Sequence, residues 1–124
     1  MRYFISGHRD LSYEEFEKHY IPELQRAVLE DKDAEFVVAE CVGVDRMAQD
    51  WLRDNFDYTK VTVFHMYQEP RYLASSKFKT KGGYDSDISR DAAMTMESDM
   101  DIAFIRAGRW TSGTAQNILR RHEF

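Results

Sequence analysis

Short runs of β-branched and aromatic residues alternate along this chain with longer segments in which apolar residues recur at helical spacing. The short runs span residues 3–5, 36–39, 61–64 and 102–105. Helical patterns cover residues 13–30, 44–55, 86–96 and the segment from 114 onwards. Alternation of this kind is typical of a parallel sheet that is covered by helices. We therefore predict an α/β fold, a small doubly wound Rossmann-like parallel sheet of about four strands with helices on both faces.

Local signals refine two of these segments. Ser12 stands three residues before Glu15, which is the spacing of a capping box at the start of a helix. Pro22 lies inside the first helical segment and is expected to kink or split it, because proline removes a backbone donor. Residues 67–85 contain Pro70 and two adjacent glycines, and we predict an irregular loop there. A loop of this length in a small domain indicates a functional or mobile segment.

Length and charge restrict the class of protein. A chain of 124 residues fits one domain, residues 1–124. The formal net charge of -5 argues against nonspecific nucleic-acid binding, which needs a basic surface, so nucleic acid is not an expected partner. Cys41 is the one cysteine, so no intramolecular disulfide can form and a reducing compartment is favoured.

Two further absences in the sequence complete this picture. No apolar run reaches the length of about 18 residues that a membrane span needs, and the first predicted strand leaves no room for a signal peptide. We expect a cytoplasmic protein with no membrane partner. The histidines and the cysteine lack the spacing of metal ligands, so neither a metal nor another cofactor is expected.

Glycines and small polar residues follow three of the four predicted strands. In parallel α/β sheets ligands bind beyond the carboxyl ends of the strands, where helix N-termini present N–H groups to anions. Arginines nearby can pair with phosphate. The candidate ligand-binding residues are Gly7, His8, Arg9, Gly43, Asp45, Arg90, Arg109, Ser112, Gly113 and Thr114. Trp110, beside Arg109, offers a flat ring for a base.

Each of these loops also has a purely structural interpretation. Arg9 can form a surface ion pair with Asp10, Asp45 can serve as a helix cap or first-turn acid, and Ser112 can be an ordinary N-cap. Cys41 has no neighbour in sequence that would activate it as a nucleophile, which favours a small buried residue.

Three blocks in register carry a resemblance to a known family. The turn at residues 7–10 reads Gly-His-Arg-Asp, and residues 40–48 read Glu-Cys-Val-Gly-Val-Asp-Arg-Met-Ala. The third block consists of residues 90–94, then 99–104, then 112–115. This series resembles the SLOG superfamily, the Rossmann-like group that contains DprA-type and LOG-type (cytokinin-activating phosphoribohydrolase) proteins. The resemblance implies a nucleotide-like ligand across the ends of the first, second and fourth strands. Some members cleave N-glycosidic bonds, and others hold signalling nucleotides of the ADP-ribose type.

Departures from the family pattern shape the functional expectation. Glu40 and Cys41 stand where the family has paired glycines, and Gln116 lies where hydrolytic members are expected to carry a glutamate after the Gly-Thr turn. Glu40 and Glu97 are the candidate substitutes, and no catalytic residue is assigned. The resemblance therefore favours a protein that senses or sequesters a nucleotide or ADP-ribose-like molecule. The alternative is an enzyme, a nucleoside-monophosphate N-glycosidase or a nucleoside deoxyribosyltransferase.

Two expectations concern partners and moving parts. The family's last strand is missing here, so a homodimer or higher homo-oligomer is expected to cover the sheet. Residues 71–81 carry three lysines and two aromatic rings, and we predict that they form a lid over the ligand. A DNA-processing role, which the DprA resemblance suggests, would need a basic groove, and the acidic balance argues against it.

Overall fold

A computed structural model describes residues 1–110 and 112–122, in which five strands form one parallel sheet. The strands are β1 (Arg2–Ile5), β2 (Glu35–Val38), β3 (Val61–Met66), β4 (Lys79–Tyr84) and β5 (Met100–Ile102). The helices are α1 (Tyr13–His19), α2 (Ile21–Glu30), α3 (Val44–Asn55), α4 (Asp87–Met96) and α5 (Gly113–His122), with a 3-10 turn at Tyr58–Lys60. The predicted α/β class with a Rossmann-like parallel sheet is confirmed, with five strands where the sequence indicated about four.

The order of the strands creates a crevice beside β1. From one edge to the other the order is β4-β3-β2-β1-β5, so the chain builds outward from β1 in one direction and then returns to add β5 on the opposite side. Phe4 of β1 lies opposite Val37 of β2 on one side and Asp101 of β5 on the other. Such a reversal is the switch point at which open parallel sheets bind their ligands.

Successive residues of each strand face opposite sides of the sheet and build two apolar layers. Ile5 and Val38 belong to the larger layer, beneath α1, α2 and α3. Phe4 and Val37 belong to the smaller one, in which Met94 of α4 is buried. Helices therefore cover both faces, as the alternating pattern predicted.

The first helical segment is split in two. Ser12 caps α1 through a complete capping box, its Oγ accepting the Glu15 N–H at 3.1 Å. Pro22 occupies the first turn of α2, where the missing N–H carries no penalty. The predicted capping box and the predicted break at Pro22 are both confirmed.

Two predictions about the second half of the sheet are wrong. Residues 79–84, expected to be irregular, form β4, an exposed edge strand that has no apolar face to reveal it. The last strand is Met100–Ile102 instead of residues 102–105, because the Phe104 N–H donates to the Tyr20 hydroxyl at 2.9 Å instead of to a strand. Across the described ranges, no helix is long and apolar enough to cross a membrane.

Candidate functional site

A cavity of about 440 Å³ opens at the carboxyl end of the sheet, among the loops that follow β1, β2 and β5 and the first turns of α4 and α5. Nine of the ten predicted ligand-binding residues line it. They are Gly7, His8, Arg9, Asp45, Arg90, Arg109, Ser112, Gly113 and Thr114. Residues from four separate segments of the sequence therefore meet around one cavity.

Gly43, the tenth residue, does not line the cavity. Its backbone has φ +87, and a Cβ there would lie 2.5 Å from the carbonyl oxygens of both His8 and Arg9. Gly7 has a similar packing role even though it lines the cavity, since its Cβ would lie 2.4 Å from the Tyr20 hydroxyl and from Val44 Cγ2. Both glycines let the loops after β1 and β2 touch, which positions the residues around the cavity.

His8 joins two loops. Its side chain is buried, and Nε2 accepts the Arg106 N–H at 2.9 Å. Burial lowers the pKa of His8, and the charges of Arg106 and Arg109 lower it further. The imidazole is therefore neutral at physiological pH and holds the loop after β5 against the loop after β1.

Arg106 reinforces the same junction from outside the cavity. Its guanidinium contacts Asp10 at 3.1 Å and Glu15 at 2.8 Å. The hydrogen bond from Arg106 lowers the pKa of Glu15 to about 2, so the pair stays ionised across the physiological range. This cation binds α1 to the loop after β5 and does not line the cavity.

The arginines that line the cavity all have aspartate partners. The shortest contacts are Arg9–Asp87 at 3.1 Å, Arg90–Asp91 at 3.1 Å and Arg109–Asp10 at 2.9 Å. Arg90 is 3% exposed, whereas the Arg9 side chain is 62% exposed. The structural interpretation of Arg9 as an ion-pair partner therefore holds, although with Asp87 instead of Asp10.

The sequence analysis assigned no role to Asp87 and Asp91, and both line the cavity. Asp91 lines the cavity with 16% of its side chain exposed, and burial raises its pKa. The signal that could have found them is local. Asp87 precedes Arg90 by three residues and Asp91 follows it directly, so a buried Arg90 needs these carboxylates beside it.

Asp45 is the most buried carboxyl group that lines the cavity. It is 8% exposed, and its Oδ2 accepts the Cys41 N–H at 3.1 Å. Burial raises the pKa of Asp45 to about 7, with a further contribution from Asp91, while Arg90 and the Cys41 N–H oppose the rise. Burial also raises the pKa of the Cys41 thiol, so Cys41 is not an activated nucleophile.

The N-terminus of α5 forms one wall of the cavity. Ser112 Oγ accepts the Ala115 N–H at 3.2 Å, so this serine is an N-cap as well as a lining residue. Thr114 and Asn117 are buried beside it, and Asn117 donates to Asp91 at 3.3 Å. Ser6 Oγ is buried at the end of β1 and has no hydrogen-bond partner among the described residues. No signal in the sequence indicated Ser6 or this role of Asn117.

The two glutamates considered as catalytic substitutes do not line the cavity. Glu40 is fully buried, and it accepts hydrogen bonds from the Met66 N–H at 3.0 Å and from the Arg71 backbone and guanidinium. Burial alone would raise the pKa of Glu40, but these donors lower it overall. Glu97 pairs with Lys81 at 2.6 Å at the far end of α4. In the part of the chain that the structure describes, the carboxyl groups that line the cavity are all aspartates.

We predict that Glu40→Gln destabilises the fold and leaves ligand binding unchanged. An amide cannot accept from all of the donors that meet at Glu40, and we expect a loss of about 1–3 kcal/mol in the free energy of unfolding. Urea denaturation measures that loss, and calorimetric titration of a ligand measures affinity. Glu97→Gln is the matched control, with a small effect on both. Loss of binding in folded Glu40→Gln protein would contradict this assignment.

Residues 71–81 do not form a lid, so that prediction is wrong. Tyr72 donates a hydrogen bond to Asp50, the Ala74 N–H donates to Gln49 at 3.0 Å, and Phe78 is buried. No residue of the segment lines the cavity, and residues 79–81 belong to β4. Trp110 is 66% exposed and also lies outside the lining.

Across residues 1–110 and 112–122, no group of three or more His, Cys, Asp or Glu side chains is arranged to hold a metal ion. Comparisons of the chain with protein-family models, with curated proteins and with solved structures found no match. The fold and this site define the chain as a Rossmann-like α/β protein with a polar cavity at the switch point of its sheet.

Proposed function

We propose that the cavity binds a nucleotide or ADP-ribose-like molecule, which the protein senses or sequesters. The observation that carries the proposal is that two exposed arginines, Arg9 and Arg109, and the N-terminus of α5 line the same cavity at the switch point. Both favour anions, the helix through its free N–H groups and dipole. The resemblance of the sequence to the SLOG superfamily supports the same class of ligand.

The lining suggests which part of such a ligand goes where. Arg9 and Arg109 are exposed at the mouth, beside the α5 N-terminus, where a phosphate would gain bidentate hydrogen bonds. The deeper carboxyl groups of Asp45 and Asp91 suit ribose hydroxyls, which both donate and accept hydrogen bonds. A volume of about 440 Å³ lies within the range of about 300–1,000 Å³ that is typical of small-molecule sites.

A phosphate at the mouth would have to displace aspartates from these arginines. Both outer pairs are solvent-exposed, and such pairs contribute only about 0–1 kcal/mol, so exchanging Asp10 or Asp87 for phosphate is inexpensive. Arg90 differs because it is buried between Asp87 and Asp91 and stays in place. The proposal therefore assigns phosphate binding to the outer arginines and support of the cavity floor to Arg90.

A second candidate, an N-glycosidase acting on nucleotides, is favoured by one observation. Asp45 and Asp91 line one cavity, and the charge of Asp91 disfavours ionisation of Asp45. A protonated Asp45 could give its proton to the departing base, while the Asp91 carboxylate stabilises positive charge on the ribose and takes a proton from the water that adds to the anomeric carbon. A nucleoside deoxyribosyltransferase would use the carboxylate as nucleophile instead.

Incubation with a panel of nucleoside monophosphates, ADP and ADP-ribose tests the proposal and separates the candidates. The protein is then removed by heat, and the supernatant is analysed by chromatography. A binder depletes one ligand in the native state and releases it unchanged after heating. Free base together with a sugar phosphate identifies a glycosidase, and depletion of no panel member refutes nucleotide binding.

Association into a homodimer or larger homo-oligomer also belongs to this proposal. Strand β5 is an edge of the sheet, and Met100 on it is 46% exposed. Light scattering coupled to size-exclusion chromatography measures the mass directly, and the mass of a single chain at micromolar concentration would contradict this part.

A further inference from the structure

The charges around the cavity do not balance when every group is ionised. Among residues 1–110 and 112–122, three arginines and four aspartates line it, and three of these aspartates have an arginine partner within 3.1 Å. Asp45 is the fourth carboxyl group, and it has no ion-pair partner among the described residues. One negative charge is therefore in excess in the part of the cavity that water reaches least.

Ionisable and charged groups face Asp45 from each neighbouring element. Cys41 lies in its own loop, Arg90 and Asp91 approach from α4, and Tyr20 lies at the junction of α1 and α2. Around the same cavity lie His8 and Arg9 after β1, Asp87 on α4 and Arg109 before α5. Of these, Arg90 is the cation nearest to Asp45, and it already forms ion pairs with Asp87 and Asp91.

Among Asp45, His8 and Cys41, Asp45 is the group whose charge changes near neutral pH. The pKa of Asp45 is raised to about 7 by burial, that of His8 is lowered and that of the Cys41 thiol is raised. Oδ2 of Asp45 accepts the Cys41 N–H at 3.1 Å, which leaves Oδ1 to hold a proton. Ser6 Oγ, buried and unpartnered among the described residues, lines the same cavity and has hydrogen-bonding capacity left for a ligand.

We infer that Asp45 binds the ligand as a carboxylic acid, donating a hydrogen bond to it, so that association takes up a proton. The inference rests on the proposed function and adds the form in which the site recognises its ligand. A phosphate-bearing ligand brings negative charge to a cavity that already holds excess carboxylate, and protonation of Asp45 removes that excess. Asp45 thereby acts as a specificity-determining residue that selects a hydrogen-bond acceptor.

Proton uptake on binding makes the ligand affinity depend on pH in a defined direction and by a defined factor. If only the protonated form binds, affinity is constant below the pKa of the free protein and falls above it, tenfold for each pH unit well above that value. With the Asp45 pKa at about 7, we expect binding about tenfold weaker at pH 8 than at pH 6. Close to one proton is taken up per ligand at pH 8, and little at pH 6.

Calorimetric titration with ADP-ribose at pH 6 and pH 8 tests the inference. Each phosphate of ADP-ribose carries one ester bond and shares the anhydride bond, so it has no secondary ionisation and the ligand itself does not titrate in this range. Buffers that differ in ionisation enthalpy report the number of protons taken up. Asp45→Asn keeps an oxygen that can accept the Cys41 N–H and adds a permanent neutral donor. We expect this variant to bind at pH 8 about as tightly as the unmodified protein binds at pH 6, without proton uptake.

Asp10→Asn is the matched control, because Asp10 also lines the cavity but pairs with Arg109, whose hydrogen bond lowers its pKa. Its pH dependence should equal that of the unmodified protein. Equal affinity of the unmodified protein at both pH values overturns the inference and leaves the proposed function standing. Tighter binding at pH 8, or a pH dependence that persists in Asp45→Asn, also overturns it. No binding of ADP-ribose at either pH overturns it as well, and failure of the whole nucleotide panel then refutes the proposed function separately.

Discussion

Replacing Gly43 by alanine is expected to lower the free energy of unfolding by about 3–5 kcal/mol, since strain and overpacking add at this position. Gly43 has φ +87 and ψ -131, a region that residues with a Cβ avoid. The added Cβ would also lie 2.5 Å from the carbonyl oxygens of His8 and Arg9, which are backbone atoms and cannot rotate away. Relief of the clash would separate the loops after β1 and β2, so we expect the cavity to open as well.

Gly108 provides the control that separates the two causes. Its φ is +84, close to that of Gly43, but among the described residues beyond its chain neighbours no heavy atom lies within 4 Å of the position of a Cβ. Gly108→Ala should therefore show the conformational strain alone, about 1 kcal/mol. Urea denaturation of both variants and of the unmodified protein gives the two differences. Equal losses in the two variants would show that contact between the loops does not require glycine at position 43.

Arg90→Met is the second substitution for which a large effect is expected. Arg90 is 3% exposed and pairs with Asp91 at 3.1 Å and Asp87 at 3.2 Å. Methionine fills similar space without charge, which leaves the Asp91 and Asp45 carboxylates without their nearest cation. Removal of one partner from a buried ion pair costs about 3–5 kcal/mol, and we expect a loss of this order at pH 7.5.

The pH dependence of this loss identifies its cause. Without Arg90, the pKa values of Asp91 and Asp45 rise further above their values in the unfolded chain. Because the folded-state pKa lies above the unfolded value, the destabilisation by these carboxylates is largest at high pH. It decreases as the pH falls and the folded protein takes up protons. The stability loss should therefore be smaller at pH 5 than at pH 7.5. A loss that is the same at both pH values would point to packing instead of charge.

Arg9→Met is the matched variant for binding. Its side chain is 62% exposed, and its ion pair with Asp87 is at the surface, so stability should change by less than about 1 kcal/mol. Nucleotide affinity is expected to fall in both variants, and in Arg9→Met without loss of stability. Unchanged affinity in Arg9→Met would remove this arginine from the proposed phosphate site.

Features that depend on neighbours in sequence were predictable. The capping box of Ser12 and Glu15 and the break at Pro22 are local hydrogen-bonding and steric effects, and both occur as predicted. Buried strands such as β2 and β3 are recognisable because continuous apolar runs mark strands covered on both faces. The convergence of the loops at one edge followed from the parallel arrangement, which brings carboxyl ends together.

Edge strand β4 shows what the local sequence leaves open. Its residues include lysines and two adjacent glycines, and none of them indicates a strand. The strand forms because β3 supplies hydrogen-bonding partners, and Gly82 is needed since a Cβ there would lie 2.1 Å from the His65 ring. No local signal in the sequence of β4 identifies β3 as its partner, so the pairing of the two strands decides the structure here.

The sequence by itself determined the α/β class, the helix caps and the loops that meet at the cavity, because these depend on hydrophobic period and on local backbone chemistry. Only the tertiary structure decided which carboxyl groups line the cavity and which of them is driven toward its neutral form. Glu40 is buried against backbone donors and stays ionised, whereas Asp45 is buried with an excess of carboxylates and holds a proton near neutral pH. Both are acidic residues near the end of β2, and what separates them is desolvation and the charges of groups brought close by folding.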